Sequence, residues 1–452
     1  MAQPKKILIV SLGCAKNLVD TEVMCGQLAS AGFLLTNIEE AADIMLINTC
    51  SFIQDARSES RQAIEDAAAW RKAKPGRKLV VGGCWPQQRG EELRSRFPDI
   101  DLLVGLDDVP AIAEILADLD RQTEQTRTRN EDFAESQYLY DHTAARLQLT
   151  PSTFAYVKIA EGCDHGCRFC SIPSIRGRLR SRSMTSVLTE CENLLANGVR
   201  ELNFIGQDVT AYGRDRGEAD GLVRLLDECE KIKSDFWLRL LYTHPRHVGR
   251  ELFARLNENG ATLPYLDMPL QHIDDGILRN MGRGMGEAAT RRLLDEIRSD
   301  FPEIAVRTTF IVGYPGETEA AFAKLLDLVR EYRFRHVGVF TFSAEPGTGA
   351  ARLSLPSVAP AAAEERKNLL LSEQQAISAA QNRALIGARM SVLAEGLNQD
   401  GMWRGRTAAD APEVDGLVFF SGGADCLSRG IVEVEIERAD AYDLYGTAQS
   451  DC

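Results

Sequence analysis

Tyr156-Val157-Lys158-Ile159-Ala160-Glu161-Gly162-Cys163-Asp164-His165-Gly166-Cys167-Arg168-Phe169-Cys170 joins a strand to a loop. Tyr156–Ala160 is an apolar run of strand length, and the loop behind it spaces three cysteines as C-x3-C-x2-C. Where strands alternate with helices, ligands gather at the carboxyl ends of the strands, so this loop lies where chemistry is expected. Three thiolates on one tight loop each ligate one iron of a 4Fe–4S cluster and leave the fourth iron without a protein ligand. An iron so exposed can chelate a small molecule and pass an electron into it. The competing reading is structural zinc with His165 as the fourth ligand. Closed zinc sites do use three cysteines and a histidine, but four ligands within eight residues are tighter than the usual two-pair spacing. Buried, unligated cysteines are a third reading.

Downstream of the loop the alternation continues. Candidate strands are Tyr156–Ala160, Glu201–Ile205, Trp237–Leu241, Tyr265–Met268, Val306–Val312 and His336–Phe342. Helical patterns such as Thr185–Ala196, Gly221–Lys233, Glu287–Asp300 and Glu317–Tyr332 separate them. Six strand–helix units fall short of the eight that close a barrel and predict a partial (β/α)6 barrel over 153–385. Upstream, 5–120 alternates the apolar runs Ile7–Leu12, Ile44–Ile47, Leu79–Val81 and Leu102–Val104 with helices such as Asn17–Ala31 and Asp55–Lys74, the pattern of a parallel α/β sheet. Residues 121–152 are polar and aperiodic, a linker or surface excursion. After the Ala-, Pro- and Gly-rich stretch Ser343–Pro360 comes a long helix near Ala361–Leu385. In 386–450 the period changes: Met390–Ala394, Leu417–Phe420 and Ile431–Arg438 read as strands, and Val432–Glu437 alternates apolar with acidic residues. A small antiparallel β domain is expected there. The fold class is thus α/β, with a terminal β domain.

The first domain carries a second set of cysteines. Cys14, Cys50 and Cys84 share no local motif, yet each ends an apolar strand: ILIVSLGC, IMLINTC and KLVVGGC. The carboxyl ends of neighbouring parallel strands lie along one edge, so three thiolates in this register converge. A single strand-end cysteine would read as a small buried residue; three in one register read as ligands. Again there are three, and again one iron stays open.

With 452 residues, 44% of them hydrophobic and 26% charged, the composition is that of an ordinary globular protein of several domains. No apolar run is long enough to span a membrane, and the N-terminus lacks signal-peptide anatomy, so a cytoplasmic protein with no membrane partner is expected. In a reducing compartment eleven cysteines point to metal or redox chemistry rather than disulfides. A net charge of −14 argues against general affinity for nucleic acid.

The central loop, with Phe169 before its last cysteine, resembles the radical S-adenosylmethionine superfamily. The resemblance implies that a reduced cluster cleaves S-adenosylmethionine to methionine and a 5′-deoxyadenosyl radical. Two open-iron clusters on one chain, with a terminal β domain, resemble more narrowly the methylthiotransferases, from Leu12-Gly13-Cys14 to about Gly446. In that family two 4Fe–4S clusters, held here by Cys14, Cys50 and Cys84 and by Cys163, Cys167 and Cys170, work with S-adenosylmethionine. The first set holds the auxiliary cluster, whose sulfur is methylated and inserted, and the last domain is called TRAM. Ser11–Asn17, Asn48–Ile53, Glu161–His165, Pro269-Leu270-Gln271-His272 and Asp410-Ala411-Pro412-Glu413-Val414-Asp415-Gly416 resemble the branch acting on an aspartate β-carbon of small-subunit ribosomal protein S-twelve. The other branch modifies an adenosine of transfer RNA by the same mechanism. A non-catalytic iron–sulfur or RNA-binding factor is the alternative of another class. From Gly387 to Cys452 there are twelve Asp and Glu against five Arg and no Lys, a net of −7. Such a domain repels RNA and suits a basic ribosomal protein, although acidic surfaces also serve solubility.

By the same resemblance Gly313-Tyr314-Pro315-Gly316-Glu317 lines the S-adenosylmethionine pocket, and Gly206 and Gln207 meet the cofactor's methionine portion. Read from residues alone, the first of these is equally a strand–helix turn. The expected partners are ribosomal protein S-twelve, free or in the small subunit, an electron donor such as flavodoxin or ferredoxin, and a sulfur donor; nothing demands more than a monomer. Arg168, Arg176, Arg178, Arg180 and Arg182 crowd the loop's far side, as an RNA groove, as support for an anionic cluster, or as solvated surface. His244, His247, His272 and His336 are assigned no catalysis. Cys25, Cys191 and Cys229 fall in helical patterns as packing residues, and Cys426 and Cys452 have no evident role.

Overall fold

Ile44–Thr49 (IMLINT) is buried at every position, as a strand must be when helices cover both faces of its sheet. In the computed structural model it is the central strand of the first of two compact units, each taken by itself below. The structure describes residues 4–119, 133–423 and 430–449. The first unit comprises Met1–Leu149, Lys158–His165 and Cys170–Val187, and the second Thr150–Val157, Gly166–Phe169 and Leu188–Cys452. No helix among the described residues is long and apolar enough to cross a membrane.

Strands β1 (Lys6–Ser11), β2 (Leu34–Leu35), β3 (Ile44–Thr49), β4 (Lys78–Gly83) and β5 (Leu102–Val104) form a parallel sheet in the order β2-β1-β3-β4-β5. The helix Gln54–Lys72 buries Ser60, Ile64, Ala67 and Trp70, a spacing of four, three and three that keeps one face on the sheet. Its Ile64 and Trp70 join Ile47, Leu79, Val81, Trp85, Phe97 and Leu103 in the core. Two helices begin at the carboxyl edge itself: Ala15–Ser30 with Cys14 as its N-cap, and Cys84–Arg96 with the cysteine as its first residue.

Of the expected linker 121–152, residues 121–132 lie outside the described residues; the remainder that belongs to the first unit is packed, not loose. Ser136 donates to Asp107 at 2.8 Å, Arg146 pairs with buried Glu22 at 2.6 Å, and Tyr138 and Tyr140 are buried. The sequence reading missed this because a polar, aperiodic stretch held by side-chain hydrogen bonds carries no periodic signal.

The second unit contains six strands followed by helices: β6 (Phe154–Lys158), then, after the short antiparallel pair β7 (Ala160–Glu161) and β8 (Arg180–Ser181) of the first unit, β9 (Glu201–Ile205), β10 (Trp237–Leu240), β11 (Tyr265–Asp267), β12 (Ala305–Val312) and β13 (His336–Thr341). They form two three-stranded sheets, β10-β9-β6 and β11-β12-β13, joined by the parallel bridge Leu238↔Thr262. This is the open arc expected of a partial barrel. Beyond the helix Pro360–Ala384 the terminal domain differs in detail from the expected antiparallel sheet. Five strands, β14 (Arg389–Leu397), β15 (Trp403–Thr407), β16 (Val418–Ser421), β17 (Ile431–Ala439) and β18 (Leu444–Ala448), close into a barrel in which β16 and β18 run parallel. β15 and β18 were not anticipated, because Trp403–Thr407 and Leu444–Ala448 carry Gly, Arg and Thr where a strand reading wants apolar residues.

One stretch of that barrel touches all six strands of the arc. Tyr156 donates to Glu413, Glu201 pairs with Arg406, Arg239 donates to the Ala408 carbonyl, and Tyr265 donates to Asp415. Arg307 pairs with Asp415 at 3.2 Å, and His336 lies 3.3 Å from Asp410. The motif Asp410–Gly416 is therefore a plug of acids set among tyrosines and basic side chains.

Candidate cluster and cofactor site

In the first unit the three strand-end cysteines come together. A Cβ on Gly13 would meet the Cys50 Cβ at 2.6 Å, and Cys14, Cys50 and Cys84 act on one another electrostatically. Glycine precedes three of the six candidate ligands with positive φ: Gly13 at 92°, Gly83 at 94° and Gly162 at 80°. At Gly83 a Cβ would lie 2.2 Å from Asn48 Oδ1, and at Gly162 1.9 Å from the Arg178 carbonyl oxygen. No other residue turns the chain there at so little cost.

The thiols differ. Desolvation opposes ionisation of Cys14, but Lys16, Arg176 and the N–H groups of Asn17 and Lys16 outweigh it and hold this thiol below its ordinary value. That is what a helix N-terminus with cationic neighbours does to a cysteine. Burial pushes Cys50 up to about 12, with the neighbouring thiolates adding to it. Burial also raises Cys84, against the pull of Arg176, whose Nη2 lies 3.4 Å from the Cys84 sulfur. Three thiols at one sheet edge, one of them with its pKa held down, fit an iron–sulfur cluster.

Cys163 and Cys170 are half-buried, and each receives a backbone N–H: His165 to Cys163 at 3.5 Å and Ile172 to Cys170 at 3.4 Å. The Cys163 amide itself donates to the Gly177 carbonyl at 3.1 Å. In the second unit buried Arg283 donates to Cys167 Sγ at 3.5 Å and to the Pro269 carbonyl at 2.6 Å. N–H groups aimed at sulfur are what ligating thiolates need. Arg283 was not singled out in the sequence; the signal was Met281-Gly282-Arg283, where Gly282 packs on the Gly166 carbonyl and Met281 accepts from the Arg168 amide at 2.9 Å.

Gly313–Glu317 follows β12 and is a tight turn. Tyr314 is fully buried, donates to the Asn280 carbonyl at 3.0 Å and stands edge-on to Phe342 at 4.9 Å. Burial pushes its phenol up to about 12, with Arg168 and Cys167 acting on it from the cysteine loop. Glu317 is buried in the turn: its carboxylate accepts from the Gly313 N–H, pairs with Arg366 at 2.8 Å and lies 3.2 Å from His272 Nε2. Its geometry is that of a fastener of the turn, and Pro315 and Gly316 remain half-buried on it. Gly206 and Gln207 follow β9, on the same carboxyl-end rim, ahead of Asp208, which caps Thr210 at 2.9 Å and pairs with His247 at 2.9 Å. Both side-chain atoms of buried Asn203, in the middle of β9, and the buried Oε1 of Gln271, in the segment after β11, lack protein hydrogen-bond partners. Orphaned polar atoms within the arc fit a polar cofactor.

Of the five arginines, Arg168 and Arg178 are exposed and Arg180 donates to carbonyls of Tyr138, Arg176 and Arg178. Arg182 is buried on the Lys158 and Ser186 carbonyls and stacks on Tyr140 at 4.4 Å. Arg176 reaches a candidate ligand, Cys84.

The chain matches three family models: "Uncharacterized protein family UPF0004" at residues 6–105, "Radical SAM superfamily" at 157–329 and "TRAM domain" at 386–448. A ribosomal protein uS12 methylthiotransferase, RimO, from Syntrophotalea carbinolica is 43% identical over 451 residues, covering 98% of this chain and 97% of that protein. The chain belongs to the radical S-adenosylmethionine methylthiotransferases. A methylthiotransferase of the same name from Geobacter sulfurreducens is 41% identical, covering 98% of both chains. Among solved structures, a radical S-adenosylmethionine methyltransferase, TsrM, from Kitasatospora setae matches with a TM-score of 0.55 at 15% identity, covering 77% of this chain and 74% of that one; the likeness is one of fold. As a methylthiotransferase the chain works with S-adenosylmethionine and two 4Fe–4S clusters.

Proposed function

We propose that this methylthiotransferase acts on an aspartate β-carbon of ribosomal protein uS12. The observation that carries the reading is the full-length identity of 43% to an enzyme named for that substrate. The acidic terminal domain, net −7 from Gly387 to Cys452, supports it, since uS12 would have to be met by a surface that attracts basic protein. In this reading Cys163, Cys167 and Cys170 hold the radical cluster, and Cys14, Cys50 and Cys84 the auxiliary one. Gly206, Gln207, Gly313, Tyr314, Pro315 and Gly316 form the walls of the cofactor pocket, with Glu317 holding the turn. The domains divide as 5–120, 153–385 and 386–450. The enzyme is a cytoplasmic monomer served by a flavodoxin- or ferredoxin-like electron donor and a sulfur donor.

The chain's own part is to position and to shield. The β-carbon C–H bond of an aspartate is unactivated, so no side chain with a near-neutral pKa could remove its proton usefully; a cofactor radical is required and the protein orients it. Mass spectrometry of uS12 and of transfer RNA from a deletion strain tests the substrate. Loss of the methylthio group from uS12 alone is expected; loss from a transfer-RNA adenosine instead would transfer the assignment to the RNA branch. In purified protein, alanine at Cys163, Cys167 or Cys170 abolishes release of 5′-deoxyadenosine. Alanine at Cys14, Cys50 or Cys84 spares that release and stops sulfur transfer.

A further inference from the structure

Four charged side chains lie together in the first unit, none more than 1% exposed. Lys158 Nζ is 2.5 Å from both Asp20 Oδ1 and Glu161 Oε2. Arg176 Nη1 donates to Glu161 Oε2 at 2.9 Å, and its Nη2 lies 3.0 Å from Asp20 Oδ2, close enough for an ion pair but without hydrogen-bond geometry. Two cations thus balance two carboxylates, with the rings of Tyr138 and Tyr140 flanking Lys158 at 5.1 and 5.6 Å.

Burying ions costs several kcal/mol each after relaxation, and well-packed apolar residues commonly serve stability as well or better. The arrangement has a direction, however. Arg176 Nη2 also donates to Asn17 Oδ1 at 3.1 Å and to Cys84 Sγ at 3.4 Å. Arg176 ends the short helix Ile172–Arg176, which starts two residues after Cys170. Its side chain therefore ties the segment carrying the last cysteine of the central loop to a cysteine of the auxiliary set.

We propose that Arg176 is a positioning residue for the auxiliary cluster, donating N–H···S to the Cys84 thiolate while Asp20, Glu161 and Lys158 hold the guanidinium in place. This rests on the two-cluster reading above. A hydrogen bond and a positive charge at a ligating sulfur stabilise the reduced cluster and raise its potential. Lysine cannot replace the arrangement, because a single ammonium cannot serve Glu161 and Cys84 as the two arms of a guanidinium do.

The test uses the full chain with Cys163, Cys167 and Cys170 changed to Ala, so that only the auxiliary cluster remains, followed by a redox titration read by electron paramagnetic resonance. Arg176→Gln should load iron and sulfide but show a lower potential and altered g-values, with Arg176→Lys between it and the parent. Asp20→Asn, which keeps the N–H···S donor and removes a nearby negative charge, should move the potential upward and decides the matter if Arg176→Gln fails to load. A loaded Arg176→Gln, or failing that a loaded Asp20→Asn, with unchanged potential and spectrum would overturn the proposal. A parent that holds no cluster would overturn the two-cluster reading itself.

Discussion

Gly162 shows how little freedom a single position near the clusters has. Its φ of 80° and the Arg178 carbonyl 1.9 Å from where a Cβ would stand leave no room for any other residue. Gly162→Ala is expected to displace Cys163, lower the iron content of the purified protein and abolish 5′-deoxyadenosine release. Unchanged iron and release would show that the loop adapts. A sequence can point toward such a glycine, because glycine precedes cysteine at Gly13-Cys14, Gly83-Cys84, Gly162-Cys163 and Gly166-Cys167, although at Gly166 a Cβ would meet nothing within 4 Å. It cannot single out Arg176 from its four neighbours or pair Arg283 with a cysteine, because they reach Cys84 and Cys167 from 92 and 116 residues away along the chain. Spacing rules read neighbours in sequence; those hydrogen bonds are set by the topology.

Among the elements, the turn Gly313–Glu317 is the clearest case of a motif whose place was legible and whose internal duties were not. A strand end followed by glycines predicts a close approach of backbone to ligand. What the pattern could not show is that Glu317 faces inward, onto Arg366 of the long helix Pro360–Ala384 and onto His272. Glu317→Gln leaves a buried guanidinium without its counterion, and breaking a buried pair costs about 3–5 kcal/mol. Urea unfolding should register that loss, and equilibrium dialysis should show weaker binding of S-adenosylmethionine. A variant of undiminished stability would mean that Glu319, the other partner of Arg366, suffices. The strand-end cysteines were legible for the opposite reason: β1, β3 and β4 are apolar runs in one parallel register, so their ends could only lie along one edge.

At the scale of the whole molecule, Asp410 makes stability depend on pH. Burial opposes ionisation of Asp410, but His336, Arg335 and the Thr407 hydroxyl prevail and hold its pKa at about 2. A carboxylate depressed in the folded state contributes stability that is complete above its unfolded value near 4 and is lost as the pH falls through 2. Asp410→Asn should therefore cost about 2 kcal/mol at neutral pH and flatten the decline in melting temperature between about pH 4 and 2. An identical acid profile in the variant would assign the decline to other groups. The same plug governs how the protein is made. All six arc strands are complete by Thr341, yet Glu201, Arg239, Tyr265 and Arg307 meet their terminal-domain partners only when 406–415 has been synthesised. At ordinary elongation rates that is a wait on the order of several seconds, during which Glu201 and Arg239 pair only with each other and Arg307 only with Asp267, at an end of the arc that nothing yet covers. The last tenth of the polypeptide thereby sets the schedule for the rest, and a chain released early leaves the ribosome as a client for chaperones and proteases.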